Sequence, residues 1–388
     1  MIVQLRNGRV STPDAVLDGA SIRLDGDRIV AVERAEGGPA GAIIDLDGGW
    51  LLPGFIDTQV NGGGGVLFND RPDVDGIATI GEAHARFGTT AFLPTLISDS
   101  PERIASGLRA VDQAIEAGIP GVLGIHVEGP FINVAKRGIH DAHRIRPLDP
   151  GTLELLCAPR RGKVLLTLAP ELCEEADIRT LVRHGVIVCA GHTNASYDQS
   201  QRAITAGLSG FTHLFNAMTP LNHRNPGAVG AALDSDTYCG IIVDGVHLHP
   251  AAVRVAVKVK GCERLMLVTD AMPSVGTSDP EFTLQGKRIL VRGGSCTYED
   301  DTLAGAHLDM TGAVQNMIAT SGLSVPEVAR MASTTPANFL SIGRTHGAIA
   351  PGRRADWVWL GADLAHRETW IGGVPVAGPV PSFARAVS

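Results

Sequence analysis

This chain has few aromatics, no paired cysteines, no excess of basic charge and no long apolar run. Each shortage removes a class of protein. Six cysteines occur, at 157, 173, 189, 239, 262 and 296, and no two form a CxxC. A disulfide scaffold is therefore not expected; the thiols read as reduced and mostly buried, which suits the cytosol. Aromatic residues make up 4% of the chain, too few to build stacking platforms for single-stranded nucleic acid. The net charge of −8 gives no general attraction to nucleic acid, although local donors can still take a small phosphate. No uninterrupted apolar stretch reaches the ~18 residues of a membrane span. The opening MIVQLRNGRV reads as a strand without the apolar core of a signal peptide, so a cytoplasmic protein is expected.

What is present is material for a large core: 388 residues, 44% hydrophobic and 19% charged, with 47 glycines for tight turns. The first fifty residues read as short strands (MIVQL, ASIRL, RIVAVE, AIIDLDG) punctuated by NG and DGD turns, and ADWVWLG and TWIGGVPVAG return to that texture near the end. The middle alternates strand and helix. Eight strands are expected at 54–60, 89–96, 121–128, 163–170, 185–192, 209–215, 238–245 and 264–271, with helical patterns such as PERIASGLRAVDQAIEAG between them. Eight such alternations predict a closed (β/α)8 TIM barrel over 53–345. The two termini, 1–52 and 346–388, are expected to pair into one small β-sandwich domain.

The chemistry lies at the ends of the apolar runs. VLGIHVEGP stops at Glu128, VIVCAGHTN at His192, GFTHLFNAM at His213, CGIIVDGVH at His247 and LMLVTD at Asp270. The C-terminal ends of barrel strands are where active sites form in this architecture. Glu128, His192 and His213 are suitable ligands for Zn2+ or a similar ion, and three protein ligands plus water make a catalytic site. Asp270 is the natural general base beside such an ion, the alternative being a helix N-cap. His140, in AKRGIH, is either an oxyanion donor or an exposed loop histidine. His126 reads as packed beside Glu128, and His84 and His184 as structural or solvated. NGGGG at 61–65 is either an anion cradle or a pliable loop, and Arg224 either a phosphate donor or a solvated cation.

Taken together and in order, PGFIDTQVNGGGGVLFND, HVEGPFINVAKRGIHD, TLAPE, GHTNASY, THLFNAMTP, NPGAVGAALD, CGIIVDGVH, VTDAM, DTLAGAHLDM and GRRADWVWL resemble the amidohydrolase superfamily, and within it the N-acetylglucosamine-6-phosphate deacetylases. The resemblance covers nearly the whole chain. It implies hydrolysis of N-acetyl-D-glucosamine 6-phosphate to D-glucosamine 6-phosphate and acetate by a metal-activated water. The family's ligands fall on Glu128, His192 and His213, its acid/base on Asp270, and its carbonyl-polarising histidine on His140. Sugar and phosphate contacts fall on Asn216, Ala217, His247 and the run Leu303, Ala304, Gly305 and Ala306. Arg224 matches an arginine that reaches the phosphate from a neighbouring subunit, implying a homodimer. Many amidohydrolases carry HxH after strand one; here the segment is Gln59-Val60-Asn61. Amides are poor ligands beside imidazole, so one metal per subunit is expected, Zn2+ first, with Fe2+, Mn2+ or Co2+ also suited. The competing readings are the galactosamine epimer or another N-acyl substrate, and a non-catalytic dimeric scaffold.

Overall fold

In the computed structural model, residues 2–34, 41–298 and 302–376 are described. Parts of the expected terminal domain (1, 35–40 and 377–388) and residues 299–301 of the expected barrel lie outside them.

Eight parallel strands follow one another around a barrel: β1 (Phe55–Val60), β2 (Thr89–Ile97), β3 (Gly124–Glu128), β4 (Lys163–Leu168), β5 (Ile187–Ala190), β6 (Gly210–Phe211), β7 (Tyr238–Ile241) and β8 (Leu265–Leu267). Seven fall within the runs expected from sequence, and β2 runs one residue past its expected end at 96. A parallel bridge between Val60 and Ala271, with the Asp270 N–H donating to the Gln59 carbonyl at 3.0 Å, joins the last strand to the first. Strands buried on both faces read as nearly continuous apolar runs, and all nine residues of β2, TTAFLPTLI, are buried, its threonines included. Helices cover the outside and begin where their sequences say they should. Ser100 caps Pro101–Glu116 by accepting from the Arg103 N–H, with proline in the first turn. Ile56, Leu93, Leu165, Cys189, Met266 and Phe339 pack as one cluster that contains residues of five barrel strands.

The termini do pair. Strands Ile2–Ser11, Val16–Asp25, Arg28–Glu33, Ala42–Asp45, Trp50–Pro53, Trp357–Leu360, His366–Ile371 and Val374–Pro375 share one eight-stranded sheet, with Trp50–Pro53 antiparallel to Trp357–Leu360. This sheet has its own core of Leu5, Ile22, Ile29, Leu51, Trp357 and Trp370.

One element was not expected. Between β8 and the helix Met310–Ser321 lies a four-stranded antiparallel meander: Glu281–Leu284, Lys287–Arg292, Ser295–Thr297 and Leu303–Ala306. Its apolar side (Leu284, Ile289, Cys296, Ala304) packs on Leu67, Ile97 and Met272 at the rim of the barrel. Strands of three to six residues carry too little alternation to announce themselves.

Among the described residues no helix is long and apolar enough to cross a membrane. The six cysteines are free, four of them buried.

Candidate active site and metal centre

The expected ligands converge. Glu128 ends β3, while His192 and His213 lie two residues beyond β5 and β6. Glu128 Oε1 is 3.1 Å from His192 Nε2 and 3.1 Å from His213 Nε2, and the two nitrogens are 3.0 Å apart. The three atoms therefore form a nearly equilateral triangle. A tetrahedral ion with bonds of about 2.0–2.1 Å has ligand–ligand edges of about 3.3 Å, so the triangle is close to one face of its coordination shell. His192 Nδ1 donates to the Lys136 carbonyl at 2.8 Å, which leaves Nε2 with its lone pair facing the cluster. The donor set thus fits a divalent metal. Burial opposes charge on Glu128, but the two imidazoles hold its carboxyl well below the usual range. Burial likewise opposes charge on His213, yet the same carboxylate raises it.

His140 also brings a ring nitrogen within 4.8 Å of Glu128 and His192. Its hydrogen bonds fix its tautomer. The Ser98 N–H donates to His140 Nδ1 at 3.2 Å and the Ser98 hydroxyl lies 2.7 Å from the same atom. Nδ1 is an acceptor, so the proton of the neutral ring is on Nε2. Burial and the His192 charge push His140 down to about 3, so the ring stays neutral. A neutral N–H is a donor to an oxyanion, not a metal ligand.

Asp270 sits three residues beyond β8. Its Oδ1 accepts from Asn61 Nδ2 at 2.7 Å and from Gln59 Nε2 at 3.0 Å, and that same Gln59 nitrogen is 3.2 Å from both Glu128 oxygens. The two amides in the HxH positions therefore serve the carboxylates as donors: Gln59 to both Glu128 and Asp270, Asn61 to Asp270. Burial first, then the Glu128 charge, raise Asp270 to about 6. As the expected base Asp270 must be ionised to act, so activity should fall as pH drops through an acid limb at or below about 6, since a bound dication lowers that value. A rate profile flat from pH 7 to 4 would contradict this.

His192, His213 and Asp270 have φ of 49°, 34° and 52°, a left-handed conformation that costs on the order of 1–3 kcal/mol at each non-glycine residue. Each is pinned by its neighbours. The His192 carbonyl accepts from the Asn133 N–H, the His213 carbonyl from the Asn216 N–H, and the Asp270 carbonyl from the Ala306 N–H. Glu171 braces the His192 loop, accepting from the Thr193 hydroxyl (2.5 Å), the Asn194 N–H (2.6 Å) and Asn133 Nδ2 (3.0 Å). Asp57 on β1 accepts from the Thr269 hydroxyl at 2.5 Å and so holds the residue before Asp270.

A cavity of about 380 Å3 lies over this cluster, lined by Glu128, His140, His192, His213, Asp270, His247, Asn216, Ala217, Leu303 and Gly305 among the expected residues. Asp244 Oδ2 is 2.6 Å from His247 Nδ1 and orients that ring. Ala304 and Ala306 are buried and do not line the cavity: along a strand alternate residues face opposite ways, so Leu303 and Gly305 take the open side. Arg224 is exposed and likewise absent from the lining. His126 is packed between Thr95 and Thr167, and buried His84 bonds the Gly62 carbonyl. The NGGGG segment is no anion cradle: Gly62, Gly64 and Gly65 donate to carbonyls of residues 271, 275 and 273. Sequence reasoning missed Ser98, and missed that Gln59 and Asn61 hold the carboxylates.

A family model described as "Amidohydrolase family" matches residues 50–376. The chain belongs to the amidohydrolase family. Among its relatives, this amidohydrolase is 44% identical to an N-acetylgalactosamine-6-phosphate deacetylase of Shewanella sp. (strain ANA-3), over 84% of this chain and 83% of that protein. It is 36% identical to an N-acetylglucosamine-6-phosphate deacetylase of Haemophilus influenzae, over 91% of this chain and 93% of that one. The crystal structure of an N-acetylglucosamine-6-phosphate deacetylase from Pasteurella multocida superposes with a TM-score of 0.93 at 36% identity, covering 97% of this chain and 99% of that one.

Proposed function

We propose that this amidohydrolase removes the acetyl group from N-acetyl-D-glucosamine 6-phosphate, releasing D-glucosamine 6-phosphate and acetate. The observation that carries the reading is the Glu128–His192–His213 triangle with the Asp270 carboxylate and the neutral His140 imidazole beside it, all lining one cavity. The names of the relatives supply the substrate class. One divalent metal per subunit, Zn2+ first, would be held by Glu128, His192 and His213; when bound it lowers the pKa of water toward ~7 and draws charge from the acetyl oxygen. Asp270 takes the proton from the attacking water. The His140 Nε2–H donates to the oxygen that becomes negative as the tetrahedral centre forms. Asp270 then gives its proton to the sugar nitrogen, and the C–N bond breaks. Gln59 and Asn61 keep the base aimed throughout. His247 and Asn216 are assigned to the sugar phosphate, and Arg224, exposed on its own chain, to the phosphate in the neighbouring subunit of a homodimer. Sugar phosphates are cytoplasmic metabolites, and we place the enzyme there.

The relative at 44% identity acts, by its name, on the galactosamine epimer, and this supports a second reading with the same chemistry. Acetate release from both N-acetylhexosamine 6-phosphates, on protein of measured metal content, tests the proposal. Turnover of the glucosamine substrate with about one metal per chain is expected. Faster turnover of the epimer would transfer the assignment to it. Bound metal without either turnover would sink both.

A further inference from the structure

The hairpin between Glu281–Leu284 and Lys287–Arg292 closes through Gln285-Gly286: Leu284 pairs with Lys287, and φ is 49° at Gln285 and 80° at Gly286. A two-residue turn with both φ positive favours Asn, Asp or Gly at its first position. Gln has neither their tolerance of the left-handed region nor their short-range hydrogen bond. Its side chain is occupied elsewhere. Oε1 accepts from the Asp141 N–H at 3.1 Å, and Nε2 donates to the Ser98 carbonyl at 3.2 Å. Those partners bracket His140: Asp141 follows it in the chain, and Ser98 supplies the N–H and hydroxyl that meet its Nδ1. Beyond the short turn Val134–Lys136, the segment leading to His140 has no regular structure of its own. From the same meander, the Tyr298 hydroxyl reaches the Ile139 carbonyl at 3.5 Å.

We propose that Gln285 is a positioning residue for the oxyanion donor, a latch that stitches the end of β2 to the His140 segment. One amide binds both sides of the joint that orients the imidazole. The meander, which also lends Leu303 and Gly305 to the cavity wall, is thereby tied to the reacting groups. The inference rests on the role given to His140 under the proposed function.

Gln285→Gly separates a latch from a merely structural residue. Glycine takes φ near 50° without strain, so the hairpin loses the side chain while its backbone is relieved. Gln285→Asn suits the turn but is one methylene too short to span both partners. Both variants should keep the melting temperature and metal content of the parent. Their kcat should fall about 10-fold, less than the roughly 10²-fold that a 1 Å misplacement can cost, with KM changed far less. In a His140→Ala background, Gln285→Gly should cost nothing further. Independently of substrate, deuterium exchange over residues 139–146 should quicken in Gln285→Gly. An unchanged kcat, an equal loss in both backgrounds, or unchanged exchange overturns the latch. If the parent protein hydrolyses no N-acetylhexosamine 6-phosphate, the proposed function fails by itself. Exchange then decides whether Gln285 holds the segment.

Discussion

Asp270→Asn should retain its metal and lose about 10³-fold or more of its turnover. General-base removal costs roughly 10²–10⁴-fold, and here one carboxylate is assigned two proton transfers. The substitution is gentle on geometry. An asparagine oxygen at the position of Oδ1 still accepts from Asn61 and Gln59, and none of the three proposed ligands is touched. Stability should move the other way. Asp270 is raised from 3.8 to about 6, so in metal-free protein its ionisation costs stability progressively as pH rises between those values. The amide escapes that cost. Metal-free Asp270→Asn should thus melt at or above the temperature of its parent at pH 7, and the gain should shrink below pH 4. Metal analysis, acetate release and melting curves on the same samples check all three expectations. A kcat within tenfold of the parent would remove Asp270 from its assigned role.

His192→Ala should fail at the earlier stage of holding the ion. It deletes one corner of the ligand triangle and leaves the Lys136 carbonyl without its 2.8 Å donor. Even a change at a residue that merely orients a ligand costs roughly 10–100-fold in metal affinity, so loss of a ligand should exceed about 100-fold. Equilibrium dialysis against a competing chelator measures it. Metal retained at parental affinity would refute the ligand set. The contrast between the variants matters most: one keeps the ion and stalls, the other cannot hold it.

Much of this was legible in the chain. The barrel strands lie in apolar, β-branched runs, and Glu128, His192, His213 and Asp270 stand at the C-terminal ends of four of them, where active sites form in this architecture. The left-handed backbones of His192, His213 and Asp270 were not legible, since nothing in an individual side chain announces strain imposed by neighbours. The expected strand over 209–215 shrinks to Gly210–Phe211 for this reason: the backbone turns at His213. Nor was the meander legible, with its short strands and charged exteriors, and so Gln285 went unnoticed. Gln59 and Asn61 were seen as missing ligands, but their role as donors emerges only when Asp270, far along the chain, closes the barrel beside them.

That closure has a consequence in time. Gln59 and Asp270 are separated by 211 positions, and the strand Trp50–Pro53 waits for Trp357–Leu360. At roughly 5–20 residues per second, a ribosome needs on the order of ten seconds or more to deliver Asp270 after the amide that donates to it. A nascent chain therefore passes through a stage that displays Glu128, His192 and His213 with no Asp270 to serve. Refolding from denaturant should preserve that order, because contacts this distant in sequence form slowly. Capacity to hold an ion should return before capacity to hydrolyse, with a measurable interval between the two.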